Sequence, residues 1–408
     1  MSAPFFAEAS VPANTGPLAG LRVIDLSQFI LGPVCTQILG DMGADVIKIE
    51  TPDGDMNRDI GPSRHIKMAA LFLGMNRNKR SVVLDLKRPA ALQALYEMVA
   101  SADVFVHSMR GKAAERLGID YEKISRLNPR IVYAAGQGYS PSGPDRDRPA
   151  YDDVIQGECG ISGINHLVHG QPYYFPMAFC DKFCGYVLAS SISMALFHRE
   201  RTGQGQKIAL PMLETVMSFN LIEHLWTGSF DKPQGELGYG RALMQDRKPF
   251  ETQDAYICLM ATSDEQWQRL FVAIGCPHLA EDTRYAKLAQ RSLHFPELYA
   301  SIAEILKTKT TTYWLETLAL ADIPSGKVRM LADMPDDSYL RETGFFHHYT
   351  HPEAGPMITP SIPVHFSQTP GEIRTPPPTL GQHTEEVLRE FGFDTQRLAA
   401  IRGYKDAT

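Results

Sequence analysis

Residues 18–50 read LAGLRVIDLSQFILGPVCTQILGDMGADVIKIE, and this stretch decides the fold class. RVIDL (22–26) reads as a strand, PVCTQILGDMG (33–43) as a helix and ADVIKIE (44–50) as a second strand. The alternation continues with VVLDL (82–86), a helix around 89–100, DVFVH (103–107), helices near 111–127 and RIVYAA (130–135). Strands separated by helices pair in parallel through right-handed crossovers. An α/β fold with a Rossmann-like parallel sheet is therefore expected. Between the first strand and helix, SQFILGPVC holds one glycine, Gly32, followed by Pro33. Without G-x-G-x-x-G the backbone cannot approach a pyrophosphate closely at that turn, which argues against NAD or FAD.

Further along, a helix is expected from Asp181 through about residue 199, with Arg199 and Arg201 at its C-terminal end and TGQG (202–205) terminating it. QKIAL (206–210) reads as a strand and Pro211 as the first residue of another helix. After about residue 228 the pattern changes to a strand, AYICLMA (255–261), and helices carrying Trp267 and Trp314. The expected division is a large domain of residues 1–228 plus 331–408 and a smaller α+β domain of 229–330. Residues 351–380 carry eight prolines, exclude a regular helix or central strand, and are expected to cross a surface back to the first domain. A last helix is expected near 383–391.

Composition narrows the partners. A length of 408 residues favours two domains, and 44% hydrophobic with 21% charged residues describes an ordinary globular protein. The net charge of −7 argues against nucleic acid, because a phosphate backbone calls for a basic surface. No apolar run long enough to span a membrane occurs, and the opening MSAPFFAEASVPANTGP lacks a signal-peptide pattern, so a cytoplasmic protein is expected. The six cysteines form no CxxC pair and the 13 histidines no HExxH, so no metal site is expected and the thiols read as reduced and buried.

Five segments, in order along the chain, resemble the class III CoA-transferases, the family of formyl-CoA and carnitine CoA-transferases. They are residues 18–50, NRNKRSVVLDLK (76–87), AAGQGYSPSGPDRDRPAYD (134–152), DKFCGYVLASSISMALFHRERTGQGQ (181–206) and PPPTLGQHTEEVLREFGF (376–393). The resemblance implies a Rossmann-like domain built from both ends of the chain, a smaller middle domain and an interlocked homodimer. It also implies that no cofactor is permanently bound, and that coenzyme A and acyl-CoA are substrates alongside a small carboxylic acid.

By position, Asp181 matches the family's nucleophilic aspartate; on the bare sequence the same residue reads as a helix N-cap. The helix dipole is expected to keep it ionised. Gln137 and Gly138 match a loop beside the reacting thioester, with Gln137 a candidate oxyanion donor. Tyr151 and Asp152 are expected to line the same region. CoA contacts are implied for Phe29, Ile30, Leu31, Leu73, Arg77, Lys79, Arg80, Ala113, Arg116 and Leu117. The run 57–80 supplies Arg58, Arg64, Lys67, Arg77, Lys79 and Arg80 against Asp59, and reads as an anion-binding patch; Arg116 matches a phosphate contact.

The chain departs from the family pattern at Thr51, where a basic residue is usual, at Ser108, where asparagine is frequent, and at GELGYGRALMQDRKP (235–249), which replaces a shielding glycine run. These departures weaken a formyl-CoA or oxalate assignment. One alternative is an α-methylacyl-CoA racemase, but the histidine its proton relay needs is absent from Ala150-Tyr151-Asp152. Another is a non-catalytic CoA-binding subunit of a heteromer, against which the retained Asp181 speaks.

Overall fold

In the computed structural model, which describes residues 16–232 and 234–402, alternate residues of each early strand go to opposite sides of one sheet. The opening stretch read above for a signal peptide lies, through residue 15, outside the described residues. Val23, Val46, Val104 and Val132 share one side; Ile24, Ile47, Phe105 and Tyr133 share the other. Both sides are covered, which is why these strands read as continuous apolar runs.

The strands are β1 (Arg22–Asp25), β2 (Asp45–Glu50), β3 (Lys79–Val83), β4 (Val104–His107), β5 (Val132–Gln137) and β6 (Gln206–Pro211). All pair in parallel, in the order β3-β2-β1-β4-β5-β6. The order reverses direction between β1 and β4, and an open parallel sheet forms its ligand crevice outside the carboxyl ends of the strands at that point. On the first side, Leu31, Cys35 and Leu39 of the helix Leu31–Asp41 pack with Cys184, Leu188 and Ile192 of the long helix Phe179–Thr202. Gly185 permits that crossing: a Cβ there would sit 2.8 Å from the Leu31 carbonyl oxygen. The second side is covered by Leu95 and Met98 of the helix Pro89–Val99 and by Val387, Leu388 and Ile401 from the far end of the chain.

The structure corrects the sequence in several places. β3 begins at Lys79, three residues before the expected 82, so two cations lie inside a strand. Lys79 and Ser81 face inward, where Lys79 meets Asp25 at 3.5 Å and Ser81 donates to Glu50 at 2.6 Å, so polar residues do what an apolar run was expected to do. Pro211 ends β6, and the next helix starts at Met212. Within the proline-rich stretch, Phe346–His351 and Gly355–Pro360 form an antiparallel hairpin. Pro356 and Pro360 are tolerated there because each strand of a two-stranded ribbon is an edge. After the expected last helix, found at Thr384–Glu390, comes another at Thr395–Arg402.

The chain divides into two compact units. One comprises residues up to Ser162, Tyr174–Asn220 and Glu342 onward; the other comprises Gly163–Tyr173 and Leu221–Arg341. The boundaries thus fall at 221 and 341 rather than at 229 and 330, and a short segment from 163 to 173 joins the second unit. The first boundary lies inside the helix Met212–His224, so no turn or composition change marks it. The second unit is α+β. Its antiparallel strands Phe250–Glu251, Tyr256–Leu259 and Ser325–Lys327 carry Phe250 and Ile257 into a core with Trp267, Leu270, Leu298 and Trp314.

Candidate active site

The loops after β1, β4 and β5 end around a cavity of about 430 Å³ at the reversal of strand order. Phe29 comes from the first loop and Leu31 from the start of the helix after it; Met109 and Arg110 come from the second loop and Ala113 from the helix Gly111–Leu117; Gly136, Gln137 and Gly138 lie at the end of β5, and Asp181 enters from the long helix. The two glycines make room for their neighbours. A Cβ on Gly136 would lie 2.5 Å from a Leu31 methyl, and one on Gly138 would lie 2.5 Å from the Ala150 methyl. Phe29 holds a left-handed backbone, φ 63°, a conformation costly for a bulky residue and concentrated at functional sites. It is held by its carbonyl, which accepts from Asn57 Nδ2, and by its ring, 5.0 Å from that of Tyr151.

Asp181 is the third residue of its helix and not the N-cap, since the helix starts at Phe179 and the cap position is Ala178, whose side chain caps nothing. The missing cap is supplied from elsewhere: Asp152 Oδ1 accepts the Asp181 backbone N–H at 2.9 Å. Asp152 is itself held by the buried Gln156, whose amide donates to Asp152 Oδ2 and to the Met177 carbonyl and accepts from the Phe175 N–H. Asp152 is therefore a positioning residue for the start of the long helix.

This arrangement reverses the expected electrostatics of Asp181. Burial first, and the Asp152 carboxylate second, push its acidity constant up to about 7. A helix N-terminus favours the anion by only about 0.3–1 kcal/mol, too little to offset a displacement of roughly three units at about 1.4 kcal/mol each. The higher basicity makes the ionised carboxylate a stronger nucleophile. With Asp181 as the nucleophile that the resemblance implies, the expected consequence is an acid limb near pH 7 in kcat/KM, because protonation below that pH removes its anion. Asp152→Asn removes the second cause and leaves the first, so the limb is expected to move part of the way toward the ordinary carboxylate range. A pH–rate profile that stays in place in this variant would show that the Asp152 charge has no part in the titration.

The structure brings Asp181, Gln137, Gly138, Phe29, Leu31 and Ala113 together around one cavity. Gln137 donates one N–H to the Met109 carbonyl at 3.1 Å, leaving its other N–H for a ligand. Ile30 sits at the start of the Leu31–Asp41 helix, accepting the Val34 N–H, and does not line the cavity. Leu73 lies on a separate short helix, Ala70–Leu73, and Leu117 packs against the second core cluster. Arg116 is exposed and has no carboxylate at ion-pair distance among the described residues, neighbouring Glu115 and Asp120 included.

The basic run 57–80 is not the free anion-binding face its charge count suggests. Arg58 forms a bidentate pair with Glu50, and Lys67 pairs with Asp59. Arg77 pairs with Asp41, Lys79 with Asp25, and Arg80 with Asp45 and Glu390. Asp59 lies within the run, but Glu50, Asp25, Asp41, Asp45 and Glu390 lie outside it, where a count of charge along the run does not reach. Sequence reasoning missed Arg110, an exposed cation lining the cavity, whose guanidinium donates to the Asp147 carbonyl at 2.9 Å. It also missed Gln156; nothing in either residue's neighbours marks it.

A reactive carboxylate and a candidate oxyanion donor on the switch-point crevice of a six-stranded parallel sheet define an α/β enzyme site. The chain belongs to CoA-transferase family III, whose model matches residues 18–384, and it is a class III CoA-transferase. It is 32% identical to a succinate–glutarate CoA-transferase of Agrobacterium fabrum, with 93% of this chain and 97% of that protein covered. A formyl-CoA:oxalate CoA-transferase of Rhodopseudomonas palustris is 32% identical, with 95% and 96% covered. Among solved structures, Rv3272 of Mycobacterium tuberculosis superposes with a TM-score of 0.80 at 30% identity, covering 91% of this chain and 99% of that one.

Proposed function

We propose that this enzyme moves CoA from an acyl-CoA donor to a carboxylic acid through covalent intermediates on Asp181. An Asp181 carboxylate oxygen attacks the thioester carbonyl carbon; the carbon–sulfur bond breaks, giving a mixed anhydride and CoA thiolate. The thiolate attacks the Asp181 carbonyl carbon, releasing the donor acid and leaving an aspartyl-CoA thioester. The acceptor carboxylate attacks that thioester and forms a second anhydride. The released thiolate then takes the acceptor acyl group and regenerates the Asp181 carboxylate. The observation that carries the reading is the placement of Asp181, with its raised acidity constant, in the same cavity as Gln137. The free N–H of Gln137 stabilises the developing oxyanion.

Phe29, Leu31 and Ala113 flank the thioester arm, and the exposed Arg110 and Arg116 face the CoA phosphates. Dicarboxylic acids of succinate or glutarate size are the proposed acids, a choice supported by the name of the Agrobacterium fabrum relative and by the missing glycine run. The working form is taken to be the interlocked homodimer. Support comes from exposed Tyr186, Met194 and Phe197 of the long helix, which recur at helical spacing on one face and stay largely uncovered among the described residues. Among the described residues no helix is long and apolar enough to cross a membrane, in keeping with a proposed cytoplasmic location. The test is incubation of the purified chain with succinyl-CoA and a panel of acids, read by mass spectrometry of the acyl-CoA products. Hydroxylamine added with the donor is expected to convert Asp181 to its hydroxamate. Product formation with no modification at Asp181 would overturn the covalent route.

A further inference from the structure

The second unit holds a cavity of about 410 Å³ that the transfer chemistry does not use. Its rim carries Arg241, Arg247 and Lys248, and no acidic residue lines it. Among the described residues, no carboxylate lies within ion-pair distance of these three cations. Four other arginines of the unit are paired: Arg269 with Asp322, Arg284 with Asp282, Arg291 with Asp264 and Arg329 with Asp337. Arg241 adds a second observation. Its Nε is buried and has no hydrogen-bond partner among the described residues, an arrangement that is costly unless a ligand accepts from it. The floor is apolar: Phe250 stacks on Tyr299 at 5.7 Å with an 8° interplanar angle, beside Leu259, Met260 and Pro324.

We infer that this cavity is a binding site for an anion carried on an apolar or aromatic stem, the anion held by Arg241, Arg247 and Lys248 and the stem laid on Phe250 and Tyr299. Two sources have this chemistry, an aliphatic carboxylate and a free phosphorylated nucleoside. Cys258 lines the same cavity and is the one exposed cysteine of the six, which supplies a readout independent of turnover.

The experiment measures the rate of alkylation of Cys258 by iodoacetamide in the full chain, located by peptide mass spectrometry, with octanoate or adenosine 3′,5′-bisphosphate as probe. At a probe concentration ten times its dissociation constant, labelling is expected to slow about ten-fold. In Arg247→Ala/Lys248→Ala the rate with probe is expected to match the rate without it, whereas Asp181→Asn keeps the protection. Protection by octanoate assigns an aliphatic carboxylate, and protection by the bisphosphate assigns a free phosphorylated nucleoside. No protection by either probe, or equal protection in the double variant, overturns the site.

Discussion

Asp181→Asn is expected to lower CoA transfer by on the order of 10⁴-fold or more, the scale of losing a nucleophile, while raising thermal stability at pH 8. The second half follows from the same burial that makes the residue reactive. The folded-state acidity constant, about 7, lies above the ordinary carboxylate value of 3.8, so the folded protein binds this proton more tightly than the unfolded chain does. Ionised Asp181 therefore opposes folding, by at most about 4 kcal/mol well above pH 7. That opposition fades as the pH falls from about 7 toward the ordinary value of 3.8 and is gone below it, where the carboxyl is protonated in both states. Asparagine carries no charge, so the variant's gain in melting temperature is expected to be larger at pH 8 than at pH 5. Calorimetric scans at both values, with initial rates beside them, check the prediction. A variant that melts with wild type at pH 8 would refute the buried charge, and a variant that transfers CoA at the normal rate would refute the nucleophile.

Arg58→Met is expected to destabilise the first unit by about 3–5 kcal/mol, because it leaves a buried carboxylate without its bidentate partner. Arg58 has no exposed side-chain surface and grips Glu50 through two bonds of 2.7 Å. It also lies over the Phe72 ring at 3.6 Å and donates to the Pro378 carbonyl at 3.2 Å, tying the edge of the sheet to the returning C-terminal segment. Methionine retains some of the packing and removes all of the charge. Glu50→Gln added to Arg58→Met is expected to recover part of the loss, since it removes the stranded anion. Urea unfolding of wild type, single and double variants separates the two contributions. A single variant within 1 kcal/mol of wild type would mean that Lys48, the other cation acting on Glu50, is partner enough.

Much of the fold was legible because a parallel sheet covered on both sides leaves continuous apolar runs, and five of the six strands were found from them. β3 was displaced because its inward residues are Lys79 and Ser81, which belong in the interior only through Asp25 and Glu50, residues 54 and 31 positions away. The same distance effect misread the basic run: charge counted along the chain says nothing about which carboxylates the fold delivers to it. For the site, the resemblance supplied Asp181, and the structure supplied its surroundings. The capping contact from Asp152, the grip of Gln156 and the rise in acidity all depend on packing between segments about thirty residues apart. The hairpin at Phe346–Pro360 went unseen because its prolines suit an isolated ribbon as well as a loop.

The covering of the sheet's second side by Val387, Leu388 and Ile401 carries a consequence for biosynthesis. All six strands have left the ribosome by the time Pro211 is clear, yet the part of this face that Val387, Leu388 and Ile401 cover stays incomplete until the last helices are made. At 5–20 residues per second the interval is on the order of ten to forty seconds, during which the second unit, Leu221–Arg341, is translated whole and has its own core to close. The middle of the chain is thus free to fold before its flanks, and the nascent sheet is the natural client of a chaperone. A truncation or stalled translation short of Val387 would leave β3, with the buried Val82, without its C-terminal cover and send the product toward aggregation rather than toward a partly active enzyme.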